Sequence, residues 1–272
     1  MNPTAHPLEK TVERTILILA ARETVFRYFT DAERFAAWWG AGSTIEGHVG
    51  GKMLIRYPNG ETASGEVLEV VPGEFIAFSY GYDTPGKPIP PGGSRVTVAL
   101  QSRRGGTLVT LRHEVSDVRT RDAHVAGWRH QMAVFSTVVA SEQHAGLAGV
   151  LDRYFAAWNA RTPEVLRAAL DSCVTEDVEF RDAFGALFDR SELEAHLALV
   201  PVYMPGMTLR RAGEPRQCQG RGLVNWVADG PDGSPKARGT NVFTLAPDGR
   251  LARITGLWAA ASEGAADGSP IG

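Results

Sequence analysis

His113 is the side chain in this sequence best suited by type to move a proton near neutral pH. It lies in the alternating stretch Leu111-Arg112-His113-Glu114-Val115, on the face shared by Val109, Leu111 and Val115. An inward histidine in a strand is either an acid–base group or a hydrogen-bonded part of the core. No carboxylate pair or nucleophile–base pattern accompanies it in its half of the chain, which favours the core role. Around it stand Trp38, Trp39, Tyr57, Phe78, Tyr80, Trp128 and Met132, which wall a pocket or fill a core. The second half holds a denser set: Trp158, Phe180, Tyr203, Trp226, Phe243 and Trp258. Part of it must be core, and part should line a pocket. Asp182 ends a strand-like run just before Ala183-Phe184-Gly185, where an aspartate either caps a turn or serves as a base. His196 falls on a solvated or mixed helix face.

Metal and thiol chemistry find no support. His124 and His130, six apart on a helix, face different ways and cannot share an ion. Cys173 and Cys218 lie outside any CxxC spacing, which argues against a disulfide framework and for a reducing compartment. No metal and no cofactor is expected.

The elements that position these residues are legible from periodicity. Val125, Trp128, Met132, Phe135 and Val139 recur at helical spacing within 122–140 and give one helix a continuous apolar face. Strands precede it, at 11–20, 44–48, 52–58, 63–71, 74–80, 94–101 and 106–115. Arg22 to Phe29 read as a short helix, and Thr30 with Glu33 has the spacing of a capping box for a second one ending near Trp39. A proline-rich connection, Tyr82 to Gly93, either rims a pocket or is merely structural. After a joint of a few residues (Ser141 to Gly146), Leu147, Val150, Leu151, Tyr154, Phe155 and Trp158 open a new helix. Thr162 and Pro163 cap the next. A strand covers Val178 to Asp182, and Ser191 with Glu194 starts a helix reaching about Tyr203. Strands follow at 207–213, 216–228, 236–246 and 250–261, and the small, polar Ser262 to Gly272 tail is expected to lack fixed structure. The chain thus reads as two α+β domains, 10–143 and 146–261.

The first domain resembles the SRPBCC (START, Bet v 1-like) superfamily, and more narrowly the branch named after the C-terminal domain of the activator of the 90-kDa heat-shock-protein ATPase. The resemblance rests on Phe35-Ala36-Ala37-Trp38-Trp39, Val49-Gly50-Gly51-Lys52-Met53, Gly65-Glu66-Val67-Leu68-Glu69-Val70 and Gly127-Trp128. It implies a helix-grip fold, an antiparallel sheet wrapped on a long C-terminal helix, with an apolar cavity between the layers. The second domain resembles the SnoaL-like branch of the nuclear-transport-factor-2-like superfamily. That likeness rests on Arg153-Tyr154-Phe155-Ala156-Ala157-Trp158-Asn159, Val178-Glu179-Phe180-Arg181-Asp182, Gly239-Thr240-Asn241-Val242-Phe243-Thr244-Leu245 and Asp248-Gly249-Arg250-Leu251. It implies an α+β cone with a bent antiparallel sheet, and pairing of two copies into a homodimer. Ketosteroid isomerases and polyketide cyclases belong to that family. In the isomerases an Asp takes a proton beside a carbonyl, while a Tyr and a protonated Asp hold the enolate oxygen. By that resemblance Asp182 matches the base, Tyr154 the phenol, and Asn241 the position of the protonated acid. An amide is the weaker donor, and loss of one good oxyanion donor costs about 3 kcal/mol.

Charge narrows the partners. Residues 1–143 carry 15 basic and 15 acidic side chains and the remainder 13 and 16. Neither half has the positive excess that phosphate neutralisation requires, so nucleic acid is excluded. The longest early apolar run, Ile16 to Ala21, is too short for a membrane span, and no secretory signal is read; a cytoplasmic location is expected. Three functional readings follow: binding of small apolar or aromatic molecules in both interiors, SnoaL-like enzymology through Asp182, and a chaperone-activator-like interaction module.

Overall fold

The computed structural model describes residues 10–260, and the chain divides between Gln143 and His144 into two compact units. The Ser262 to Gly272 tail and position 261 of the expected second domain lie outside the described residues. Both units are α+β.

In the first unit, β1 (Thr11–Ile18) is followed by the short helices α1 (Arg22–Arg27) and α2 (Ala32–Trp39). Six further strands come next: β2 (Thr44–Ile45), β3 (Lys52–Arg56), β4 (Thr62–Val71), β5 (Phe75–Tyr82), β6 (Ser94–Arg103) and β7 (Gly106–Glu114). They form one antiparallel sheet in the order β1-β7-β6-β5-β4-β3-β2. The long helix α3 (Val118–Gln143) packs on its inner face. Alternation decides which side chains meet the helix: in β7, Thr107, Val109, Leu111 and His113 are buried while Arg112 and Glu114 are exposed. Trp128, Met132, Phe135 and Val139 of α3 are buried on the same side. α3 starts earlier than its apolar period requires, because Asp117 accepts from the Thr120 N–H at 2.9 Å and from the Thr120 hydroxyl at 2.9 Å. The cap of α2 also differs from expectation. Asp31, one residue beyond Thr30, accepts from Arg34 N–H at 2.9 Å, and a charged acceptor suits a helix N-terminus better than a hydroxyl. Thr30 donates instead to the Phe26 carbonyl.

The second unit begins with α4 (Leu147–Trp158) and α5 (Pro163–Cys173), the latter capped by Thr162. Then come β8 (Val174–Arg181), β9 (Ala186–Leu187), α6 (Arg190–Ala198) and α7 (Val200–Tyr203). Four long strands end it: β10 (Thr208–Cys218), β11 (Arg221–Asp229), β12 (Pro235–Leu245) and β13 (Leu251–Ala260). The sheet order is β10-β11-β12-β13-β8-β9, with β8 parallel to β13. Three local expectations shift. The capping box is Asp189 with Glu192, not Ser191 with Glu194: Asp189 accepts from Glu192 N–H at 2.8 Å, and Glu192 accepts from Phe188 N–H at 2.7 Å. Pro201, which has no N–H to give, coincides with the break between α6 and α7. Gly213 to Pro215, expected between two strands, is an irregularity inside β10; the chain reverses at Gln219-Gly220, both at positive φ.

Candidate functional site

The inner face of the first domain carries a half-open cavity of about 530 Å³. α3 supplies a stripe to it, His124, Gly127, Trp128, Gln131 and Val134, at helical spacing. α2 contributes Trp38 and Trp39 at its C-terminal end, and the sheet contributes Tyr57, Tyr80 and Tyr82. Exposed Ala37, Pro58 and His130 stand at the rim. Rings touch along the wall: Trp38 and Trp39 lie 4.6 Å apart by centroid, and Trp128 meets Trp39 edge-on at 5.7 Å. Gly127, an exposed member of the lining, adds no side chain to it, and a Cβ built there would meet nothing within 4 Å. At the other end of α3, Phe135 fills the space against Phe29 and Trp38.

Two polar groupings line this wall. The Tyr57 and Tyr80 hydroxyls lie 2.7 Å apart, and burial pushes both above the usual phenol range, so both stay protonated. The Tyr82 hydroxyl lies 3.2 Å from His124 Nε2, while His124 Nδ1 is 2.7 Å from the Thr120 carbonyl. A carbonyl only accepts, so Nδ1 carries the proton.

Five of the eight residues expected to line this pocket do so: Trp38, Trp39, Tyr57, Tyr80 and Trp128. Phe78, Met132 and His113 do not; they belong to the core behind it. His113 is fully buried, and Trp128 Nε1–H donates to its Nδ1 at 2.9 Å. Its Nε2 lies 2.8 Å from Ser94 Oγ, whose proton is given to the Tyr80 carbonyl. Nε2 therefore donates. Burial, followed by the neighbouring His124, lowers its pKa to about 3. A ring held neutral with both nitrogens engaged positions Trp128 and is unsuited to acid–base work. Tyr82, His124 and Gln131 were missed in the sequence, although His124, Trp128 and Gln131 share the helical spacing that marks a face.

The second domain brings its expected residues together around far less space, about 10 Å³. That is room for one water at most. Trp158, Phe180, Asp182, Trp226, Asn241 and Trp258 line it; Phe243 is core, and Tyr203 is on the surface, 76% exposed. The Tyr203 expectation fails because α7 turns it outward. Asp182 does two things at once. Its Oδ1 accepts from Phe184 N–H at 2.8 Å and Gly185 N–H at 2.9 Å, fixing the turn, while its Oδ2 is buried without a partner. Asn241 accepts from Trp226 Nε1–H at 3.1 Å through Oδ1, which fixes which end of the amide is the donor. Gly256 runs between them: a Cβ there would fall 3.2 Å from Asp182 Cβ and 3.3 Å from Asn241 Oδ1. Tyr154, from α4, lies behind the cavity; its hydroxyl is buried without a hydrogen bond, and burial raises its pKa. Trp158 Nε1 is a third unpartnered polar atom. His196, expected on a solvated or mixed face, is half-buried: it packs on Phe180 at 5.8 Å and edge-on to Trp158 at 6.3 Å, beside Gly185 of the Asp182 turn.

Residues 19–140 match the family model described as activator of Hsp90 ATPase homolog 1-like protein, and residues 151–254 match that of the SnoaL-like domain. The chain joins an Hsp90-ATPase-activator-homolog-like domain to a SnoaL-like domain. No curated protein matches it. Similar solved structures include a putative isomerase of the SnoaL-like family from Agrobacterium tumefaciens, at 25% identity over 43% of this chain and 98% of that one, TM-score 0.39. Another is the Aha1 dimer of Colwellia psychrerythraea, at 18% identity over 45% and 90%, TM-score 0.39. A third is CalU16 of Micromonospora echinospora, at 20% identity over 60% and 81%, TM-score 0.38. Among the described residues, no helix is long and apolar enough to cross a membrane, and no group of three or more His, Cys, Asp or Glu side chains could hold a metal ion.

Proposed function

We propose that the activator-homolog-like domain binds a small aromatic molecule in its interior. The observation that carries this reading is the cavity of about 530 Å³ walled by tryptophan and tyrosine rings, a size and lining usual for small-molecule sites. Its test is equilibrium dialysis of the full chain against naphthalene-type compounds, with Gly127→Leu as the blocking variant. Saturable binding that the leucine abolishes is expected; absence of saturable binding to the wild-type chain removes the reading.

A second reading concerns the SnoaL-like domain, where Asp182 after β8 and Asn241 of β12 line one small cavity and Tyr154 of α4 lies behind it. There Asp182 Oδ2 takes a proton beside a carbonyl, with Asn241 and Tyr154 donating to the oxygen. The site must widen from about 10 Å³ to admit a substrate. Deuterium exchange beside a ketone carbonyl, followed by NMR, tests it. Asp182→Asn should slow exchange by about 10²–10⁴, and an unchanged rate refutes the assignment. The homodimer is part of this reading and is tested by sedimentation. The interaction-module reading draws little support: exposed apolar side chains of the first domain are Leu17, Val49, Val71 and Val118, from four separate segments.

A further inference from the structure

The polar atoms of the first-domain cavity are arranged asymmetrically. His124 gives its Nδ1 proton to the Thr120 carbonyl, so in the neutral ring Nε2 is a lone pair, and Tyr82 must donate to it. Tyr82 Oη then has acceptor capacity to spare and no proton. The pair Tyr57 and Tyr80 is resolved by depth. Tyr80 is almost fully buried, and a buried hydroxyl that fails to donate leaves its proton orphaned. Tyr80 therefore donates to Tyr57, and half-buried Tyr57 keeps its own O–H for another acceptor. The tyrosine rings are neighbours, Tyr57 and Tyr82 at 6.2 Å and Tyr80 and Tyr82 at 5.5 Å. One end of the cavity thus offers a donor and an acceptor close together.

Formal charge is missing from this wall. No Asp, Glu, Lys or Arg is among the lining residues. Lys87, which sits over the Tyr82 ring at 5.5 Å, is ion-paired with Glu61. A carboxylate or ammonium guest would be desolvated without a counter-charge, which is costly. The Trp39 Nε1–H of the same wall is a further unpartnered donor. A guest hydroxyl, which both accepts and donates, can use these donors and the Tyr82 acceptor; an ether can use the donors alone.

Resting on the aromatic-binding reading above, we propose that this cavity selects neutral aromatic hydroxyl compounds, phenols and naphthols, whose oxygen accepts from Tyr57 and whose proton goes to Tyr82. The test compares naphthol, methoxynaphthalene and naphthoate on the full chain at neutral pH by equilibrium dialysis. Naphthol should bind about tenfold more tightly than its methyl ether, the worth of one net hydrogen bond, and naphthoate more weakly than either. Tyr82→Phe should bring naphthol down to the ether's affinity and leave the ether unchanged. Equal affinity of naphthol and methoxynaphthalene, or naphthoate binding as tightly as naphthol, overturns the selectivity while leaving aromatic binding intact. Failure of all three to bind overturns both.

Discussion

In the first domain Gly127 faces open space, whereas in the second Gly239 lies against the Trp226 ring, where a Cβ would fall 2.2 Å from Cζ2 and 2.3 Å from the Leu257 carbonyl. Both domains draw on tryptophan, tyrosine and phenylalanine, yet the cavity at the first site is about 530 Å³ and the one beside Asp182 about 10 Å³, with a separate, more open hollow of about 350 Å³ along Trp226 and Gly239. Polar groups do not divide so cleanly, since Trp39 Nε1 in the first-domain wall is also buried without a partner. In the first domain the deep histidine is satisfied on both nitrogens. In the second, Tyr154 Oη, Trp158 Nε1 and Asp182 Oδ2 are buried unpartnered, each at a cost of about 1–3 kcal/mol. What separates the two sites is therefore space more than polar satisfaction.

The largest effect expected from this contrast is on acid stability. His113 has a folded pKa near 3 against about 6.5 unfolded. The folded state therefore binds its proton less readily, and stability is fully present above about pH 6.5 and falls as pH drops from there towards 3. A loss on the order of 3 kcal/mol by about pH 4 should appear in denaturant melts, and hydrogen exchange should locate it in the first domain. His113→Gln should flatten that dependence. Next comes overpacking of the filled interior: Gly239→Ala should cost about 3 kcal/mol, read as a lowered denaturation midpoint. A change below experimental error would mean that the Trp226 side of this interior has slack. Tyr154→Phe removes an orphaned hydroxyl and should stabilise the second domain by about 1 kcal/mol. Destabilisation instead would mean that the hydroxyl holds an internal water. The smallest effect belongs to the hollow: Gly127→Ala should raise stability by about 0.5–1 kcal/mol, from helix propensity without collision.

Much of the fold was legible because it rests on short-range patterns. The period of α3, the alternation in β6 and β7, and Pro163 after Thr162 each name an element without reference to distant residues. Cap positions moved by a residue or two where an aspartate competed with a hydroxyl, at Asp31 and Asp189. Gly213 and Pro215 carry turn chemistry but sit in an interruption of β10, since cross-strand pairing resumes at Arg216. The candidate site was legible only in part, for a physical reason. A large apolar residue at an inward position faces either a void or a neighbour, depending on how far the sheet curves, and curvature is not local. So Phe78 and Met132 proved to be core, while Tyr82 and His124, which could be placed on the same faces, proved to be wall. Asp182 fulfils the turn-capping expectation through Oδ1, while its Oδ2 is left buried without a partner.

The relay from Trp128 through His113 and Ser94 to the Tyr80 carbonyl ties an indole of the cavity wall to the main chain of a central strand. Widening the chamber from that side would mean breaking three bonds in a dry environment. On the binding reading proposed above, room for a larger guest is expected at the exposed rim, where Ala37, Pro58 and His130 stand.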